Sequence, residues 1–220
     1  MERLTEALVH SSYPNEHPHA PARSNERLEF LGDAVIALVI SEALYARHPN
    51  DDEGHLTARR AALVSTEALA GFARRIDLGD YLVLGQGAAR ANERERASVL
   101  ASAFEAVAAA LFLDLGLDGV RAWLLTIAEP EVSAATDAAS LMAPKSRLQA
   151  LAYARDGHAP VYRLVSAEGP DHAKRYLVEA IVGAVVVGRG EGSSRRAAET
   201  RAAEAALGQL GSGGPARGAP

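Results

Sequence analysis

Three acids open the chemical reading of this chain. Glu26, Glu29 and Asp33 stand at i, i+3 and i+7, which at about 100° per residue places them within an arc of about 60° on one helix face. Like charges gathered this closely repel, so the arrangement needs compensation. The dipole of a helix start accounts for Glu26 and fairly well for Glu29. It does not reach Asp33, which lies deeper in the apolar run from Phe30 to Ile36. An acid buried in such a run is expected to be paired or bound to metal. Gly32 beside it, costly inside a helix, would let a second helix or a ligand come close.

Glu105 is a second anomaly, the lone charge between Val99 and Leu113, with Ser102 one turn before it on the same face. Two readings follow. Glu105 could be a core acid neutralised by an arginine, or it could meet Glu29 and Asp33 across a helix–helix contact. In the second case the donors are all oxygen, which suits Mg²⁺ or Mn²⁺. Such a site binds phosphates and activates water. A helical di-iron centre would want Glu-x-x-His pairs, and neither acidic stretch carries one.

A third stretch is basic: Gly190-Glu-Gly-Ser-Ser-Arg-Arg-Ala-Ala-Glu199. A Gly-rich turn there would set Arg195 and Arg196 at a helix N-terminus, where unpaired N–H groups, the helix dipole and two cations favour phosphate. Two adjacent arginines are more often the mark of a solvated face.

The elements that must position these residues are legible in the hydrophobic spacing. Apolar periodicity predicts helices over 26–47, 56–76, 96–115 and about 117–127, with stops at Pro49, Gly79 and Gly116 and a polar loop over 85–96. Only nine residues precede His10, so any first helix is short. The small, weakly polar run PEVSAATDAASLM over 130–142 reads as a linker. Beyond it the period changes. A helix over 144–155, strands over 162–167 and 174–187, a break at the glycines of 188–192 and a helix over 195–210 make a small α+β domain. The end, GSGGPARGAP, is expected to be disordered.

Composition narrows the class. With 220 residues and 48% hydrophobic content the chain can bury a core. Having no cysteine excludes a disulfide scaffold, thiolate zinc, an iron–sulfur cluster and a cysteine nucleophile, and fits a reducing compartment. The longest apolar runs, 34–40 and 106–113, fall short of the roughly 20 residues of a membrane span. The N-terminus lacks a signal-peptide pattern, so a soluble, cytoplasmic protein is expected. Residues 1–142 hold 12 basic and 21 acidic side chains, whereas 143–212 hold 10 and 7. That asymmetry is either surface variation or a division of labour with polyanion contact in the basic part.

The residues around the acids are also recognisable. Asn25-Glu-Arg-Leu-Glu-Phe-Leu-Gly-Asp-Ala-Val35 resembles the signature helix of the bacterial ribonuclease III family. Ala7-Leu-Val-His-Ser-Ser-Tyr13 resembles its N-terminal motif, and Glu53-Gly-His-Leu-Thr-Ala-Arg-Arg-Ala-Ala-Leu-Val-Ser65 its second helix. Leu100-Ala-Ser-Ala-Phe-Glu-Ala106, ending in Phe112-Leu-Asp-Leu-Gly116, resembles its second acidic helix. The resemblance implies Mg²⁺-dependent hydrolysis of double-stranded RNA by a homodimer, leaving 5′-phosphates and short 3′ overhangs. By position it implies metal binding by Glu29, Asp33, Glu105 and Ser102, catalysis by Asp33, Glu105 and the accessory acid Glu26, and a dimer contact at Phe30. Ser102 stands where many family members carry aspartate.

The basic part resembles a double-stranded RNA-binding domain. That implies minor-groove contacts by Ser146, Gln149 and His172 and phosphate contacts by Arg195 and Arg196; without the match, His172 reads as a surface loop residue. The organisation expected is an all-α endonuclease domain (1–128), a linker (129–142), an α-β-β-β-α RNA-binding domain (143–211) and a disordered tail (212–220). The alternatives are an RNA-binding protein that cuts poorly because of Ser102, and a helical module whose acids are surface charge.

Overall fold

The computed structural model describes residues 2–134, 138–170 and 173–212. The chain divides into two units, Met1–Leu141 and Met142–Pro220, each with its own apolar core.

The first unit is helical: α1 (Glu2–Ala7), α2 (Ser12–Glu16), α3 (Glu26–Arg47), α4 (Glu53–Leu63), α5 (Thr66–Arg75), α6 (Gln86–Arg90), α7 (Ala97–Val132) and α8 (Ala138–Leu141). Helix α3 has the bounds its periodicity predicts, and its apolar face (Leu28, Val35, Ile36, Val39, Ile40 and Leu44) is buried. It packs along α7, the core helix. Gly116 interrupts α7 with φ 73°, ψ −176°, a left-handed φ that only glycine adopts freely. Across that break Phe104 stacks on Trp123, with centroids 4.9 Å apart, and Phe72 of α5 closes the cluster at 5.9 Å. By length and composition α7 could cross a membrane, but more than half of its apolar window is buried in this core.

Three expectations for this unit change. The helix predicted over 56–76 is two helices, α4 and α5, because Ser65 turns extended (ψ 152°) and caps the second by accepting from the Ala68 N–H at 3.3 Å. The loop over 85–96 holds α6 and a 3-10 turn at Glu93–Glu95; Glu16 caps α6, accepting from the Gln86 and Gly87 N–H groups. The linker expected from 129 begins inside α7, which continues through Pro130 to Val132. Val132 is fully buried, Arg47 pairs with Glu129 at 2.7 Å, Arg75 pairs with Glu131 at 2.6 Å, and His48 Nε2 lies 2.9 Å from the Val132 carbonyl. These contacts override the weak local preference.

The second unit runs α9 (Pro144–Asp156), β1 (Val161–Glu168), β2 (Arg175–Val182), β3 (Val185–Gly192) and α10 (Arg195–Ser212). Its sheet is antiparallel in the order β1-β2-β3, with Val161 opposite Ile181 and Tyr176 opposite Gly192. The single strand predicted over 174–187 is thus a hairpin, turning at Gly183 (φ 60°). The glycines of 188–192 are not a break but the inward face of β3. A Cβ on Gly188 would lie 2.9 Å from that of Ala206, and one on Gly192 would lie 2.6 Å from the Ala198 nitrogen. Glycine on the strand and buried alanine on the helix (Ala198, Ala202, Ala206) let α10 seat against the sheet. Helix α10 takes in Ser212, where the tail was expected to begin; residues 213–220 lie outside the described residues.

Candidate active site and nucleic-acid surface

The acids are positioned by one close crossing. A Cβ on Gly32 would overlap the Glu105 carbonyl and stand 2.9 Å from Glu105 Cα. Glycine is therefore what allows α3 and α7 to touch backbone to backbone at this point. Glu29 and Asp33 flank that contact on α3; Ser102 and Glu105 flank it on α7. Ser102 Oγ donates to Glu29 Oε1 at 2.9 Å. Burial pushes the Glu105 carboxyl up to about 7, and the charges of Glu29 and then Asp33 push in the same direction. Among the described residues none of the three acids forms a salt bridge, so the arginine-paired reading of Glu105 is set aside.

Asp33 differs from its expectation. It is exposed rather than buried, because Leu28, Gly32, Val35 and Ile36 take the inward positions of α3. Glu26 is also exposed and accepts from Ser24 Oγ at 2.6 Å. Glu26, Glu29 and Ser102 line a cleft of about 310 Å³ with His10, Asn25 and Arg96; Asp33 and Glu105 are outside its lining. His10 and Arg96 belong to no helical spacing pattern; their sequence signals are the Ala7–Tyr13 motif and a charged loop.

Beside the acids α3 presents an uncovered apolar stripe. Phe30 is 83% exposed, Leu38 54% and Tyr45 75%, all within about 80° of arc.

In the second unit Ser146 and Gln149 are exposed on α9, and Arg195 and Arg196 are exposed at the start of α10. Ser194 caps that helix, accepting from the Ala197 N–H at 3.2 Å. Glu199 ties the two helix starts together, pairing with Lys145 at 2.6 Å and Arg195 at 3.0 Å, and these two cations hold its carboxyl below the usual range. The starts of α9 and α10 are therefore linked through Glu199. Spacing had not singled out Lys145 or Glu199, although Lys145 is one of only two lysines in the chain. His172 lies outside the described residues.

The chain is similar to known proteins over nearly all of its length. A family model described as ribonuclease-III-like matches residues 2–130, and one described as a double-stranded RNA binding motif matches residues 144–210. The chain is 46% identical to Ribonuclease 3 of a Roseiflexus species over 209 residues, 94% of this chain and 88% of the relative. It is 43% identical to Ribonuclease 3 of Desulfotalea psychrophila over 204 residues, 93% of this chain and 84% of the relative. Among solved structures, a ribonuclease III nuclease domain from Campylobacter jejuni, described for flexibility in a region involved in dimer formation, is similar. It aligns with TM-score 0.54 at 35% identity, over 59% of this chain and 87% of that one. The chain belongs to the ribonuclease III family.

Proposed function

We propose that this protein is a double-stranded-RNA endoribonuclease that hydrolyses phosphodiester bonds with Mg²⁺ or Mn²⁺. Its products carry 5′-phosphate and 3′-hydroxyl ends with short 3′ overhangs, and it works as a homodimer in the cytoplasm on ribosomal and messenger RNA precursors. One observation carries the reading. The α3–α7 crossing brings the half-buried Glu105 within reach of Glu29 and Asp33, and burial first, then their two charges, push its carboxyl up to about 7, with no salt bridge from lysine or arginine to relieve the three among the described residues. A fold that tolerates such repulsion is poised for a cation.

The donor set suits that cation: three carboxylates and a hydroxyl are all oxygen ligands. Among the described residues no three acidic or histidine side chains already converge as a cage. Mg²⁺ does not require one, since it keeps several waters and takes one or two carboxylates directly. Glu29, Asp33 and Glu105 would hold it, with Ser102 beside them. When bound, the ion acidifies water and offsets phosphate charge. Glu26, which lines the same cleft as Glu29, would serve as the accessory acid.

The other parts divide the remaining work, with the helical unit cutting and the α+β unit over 143–211 binding. Ser146, Gln149 and His172 would reach two minor grooves of an A-form duplex and Arg195 and Arg196 the phosphates between them, reading shape and 2′-hydroxyls rather than sequence. The Phe30–Leu38–Tyr45 stripe supports pairing with a second copy about a twofold axis. Incubation with long duplex RNA, with Mg²⁺ or with EDTA, tests the reading. Mg²⁺-dependent shortening to fragments that accept 3′-end ligation and carry a 5′-phosphate is expected. Binding without cleavage would instead favour the RNA-binding alternative.

A further inference from the structure

Beside the Gly32–Glu105 contact, α3 and α7 are joined by a hydrogen bond from Ser102 Oγ to Glu29 Oε1, at 2.9 Å, while the Arg47–Glu129 and Arg121–Glu42 pairs join the same helices farther along. Both side chains are half-buried, so the bond is partly shielded from water and worth more than an exposed one. A hydroxyl has a single hydrogen. Here it is spent on the carboxylate whose charge also acts on Glu105, so the donor sits where like charge gathers. No charged partner competes for Glu29 among the described residues. The geometry is local and directional: Ser102 stands one turn before Glu105, Glu29 one turn before Asp33, and Gly32 clamps the two turns together.

We infer that Ser102 is a positioning residue. It fixes the Glu29 carboxylate by donating to Oε1, leaves Oε2 for the divalent cation, and acts through Glu29 rather than as an independent ligand. This rests on the metal-site reading above. It also gives the serine a purpose that an acid could not serve. A neutral donor organises the site without a fourth formal charge, so the metal-free protein keeps its acids in place.

The test is calorimetric titration of Mn²⁺ and of Mg²⁺ into the metal-free full-length chain without RNA. Wild type is compared with Ser102→Ala, Ser102→Thr, Glu29→Ala and the Ser102→Ala/Glu29→Ala double variant. Loss of a hydrogen bond to a charged group should weaken uptake about tenfold in Ser102→Ala. Threonine, which keeps the hydroxyl, should restore affinity to within about twofold of wild type. Because Ser102 acts through Glu29, the double variant should bind no more weakly than Glu29→Ala alone. Wild-type affinity in Ser102→Ala, no rescue by threonine, or additive losses in the double variant would overturn the inference while leaving the metal site intact. No cation uptake by the wild-type chain, or none lost in Glu29→Ala, would overturn the metal-site reading itself and the inference with it.

Discussion

Gly32→Ala adds one methyl group at the place where α3 meets α7. That carbon would overlap the Glu105 carbonyl and stand 2.9 Å from Glu105 Cα, whereas unstrained carbon pairs sit at about 3.5–4 Å. The obstacle is backbone, set between the buried Phe104 and Ala106, so no side chain can turn aside and the helices must part by roughly an ångström. Overpacking of this kind costs typically 1–3 kcal/mol, occasionally more, and alanine's better helix propensity returns about 1 kcal/mol. Because the overlap is with backbone and severe, the cost lies at or above the top of that range, so a net loss of about 2 kcal/mol is expected, or about 4–8 °C in Tm for a chain of this size. Gly71→Ala is the control. A Cβ there meets nothing within 4 Å, so the same substitution in α5 should stabilise by up to about 1 kcal/mol. Denaturant melts followed by the fluorescence of Trp123, the only tryptophan, report on the first unit alone. Equal stability of Gly32→Ala and wild type would refute the crossing, and with it the placement of every acid.

Glu105→Gln should remove a pH dependence. In the metal-free wild type the folded state retains a proton that the unfolded chain releases near 4.5, so stability falls as pH rises from there to about 7 and then levels. Because Glu105 is partly exposed, the relief in EDTA at pH 8 should be about 1–2 kcal/mol, vanishing near pH 4; parallel melts across pH check it. Phe30→Asp should place a charge in the exposed stripe and shift the chain from dimer to monomer in sedimentation. A chain ended at Met142 should keep weak nuclease activity at low salt. In filter binding at physiological salt it should lose most duplex affinity, since 21 acidic and 12 basic residues remain.

Much of the fold was legible in strong local signals. The apolar spacing of 26–47 delimits α3, and Gly116 marks the interruption of α7 because it alone can take φ 73° there cheaply. The misses were places where tertiary contacts outvote local pattern. Glycines 188, 190 and 192 look like a breaker until α10 lies across them. Val132 and the Arg47 and Arg75 pairs turn an apparent linker into the end of a helix. At the site, Glu105 stands out by its conflict with an apolar stretch, and Glu29 and Asp33 by their spacing on one helix face. The exposure of Asp33 and the Ser102–Glu29 bond could not be found this way, because both depend on how two helices distant in sequence rotate against each other.

The most direct measurement compares cleavage and binding of one long RNA duplex by wild type and Glu105→Ala. Cleavage is followed in Mg²⁺, and affinity is measured in Ca²⁺ at the same salt concentration. If the acids at the α3–α7 crossing cut and the basic unit binds, Glu105→Ala should lose cleavage by about a hundredfold or more while its duplex affinity stays within about twofold of wild type. Near-normal cleavage by Glu105→Ala would contradict the assignment of catalysis to this crossing.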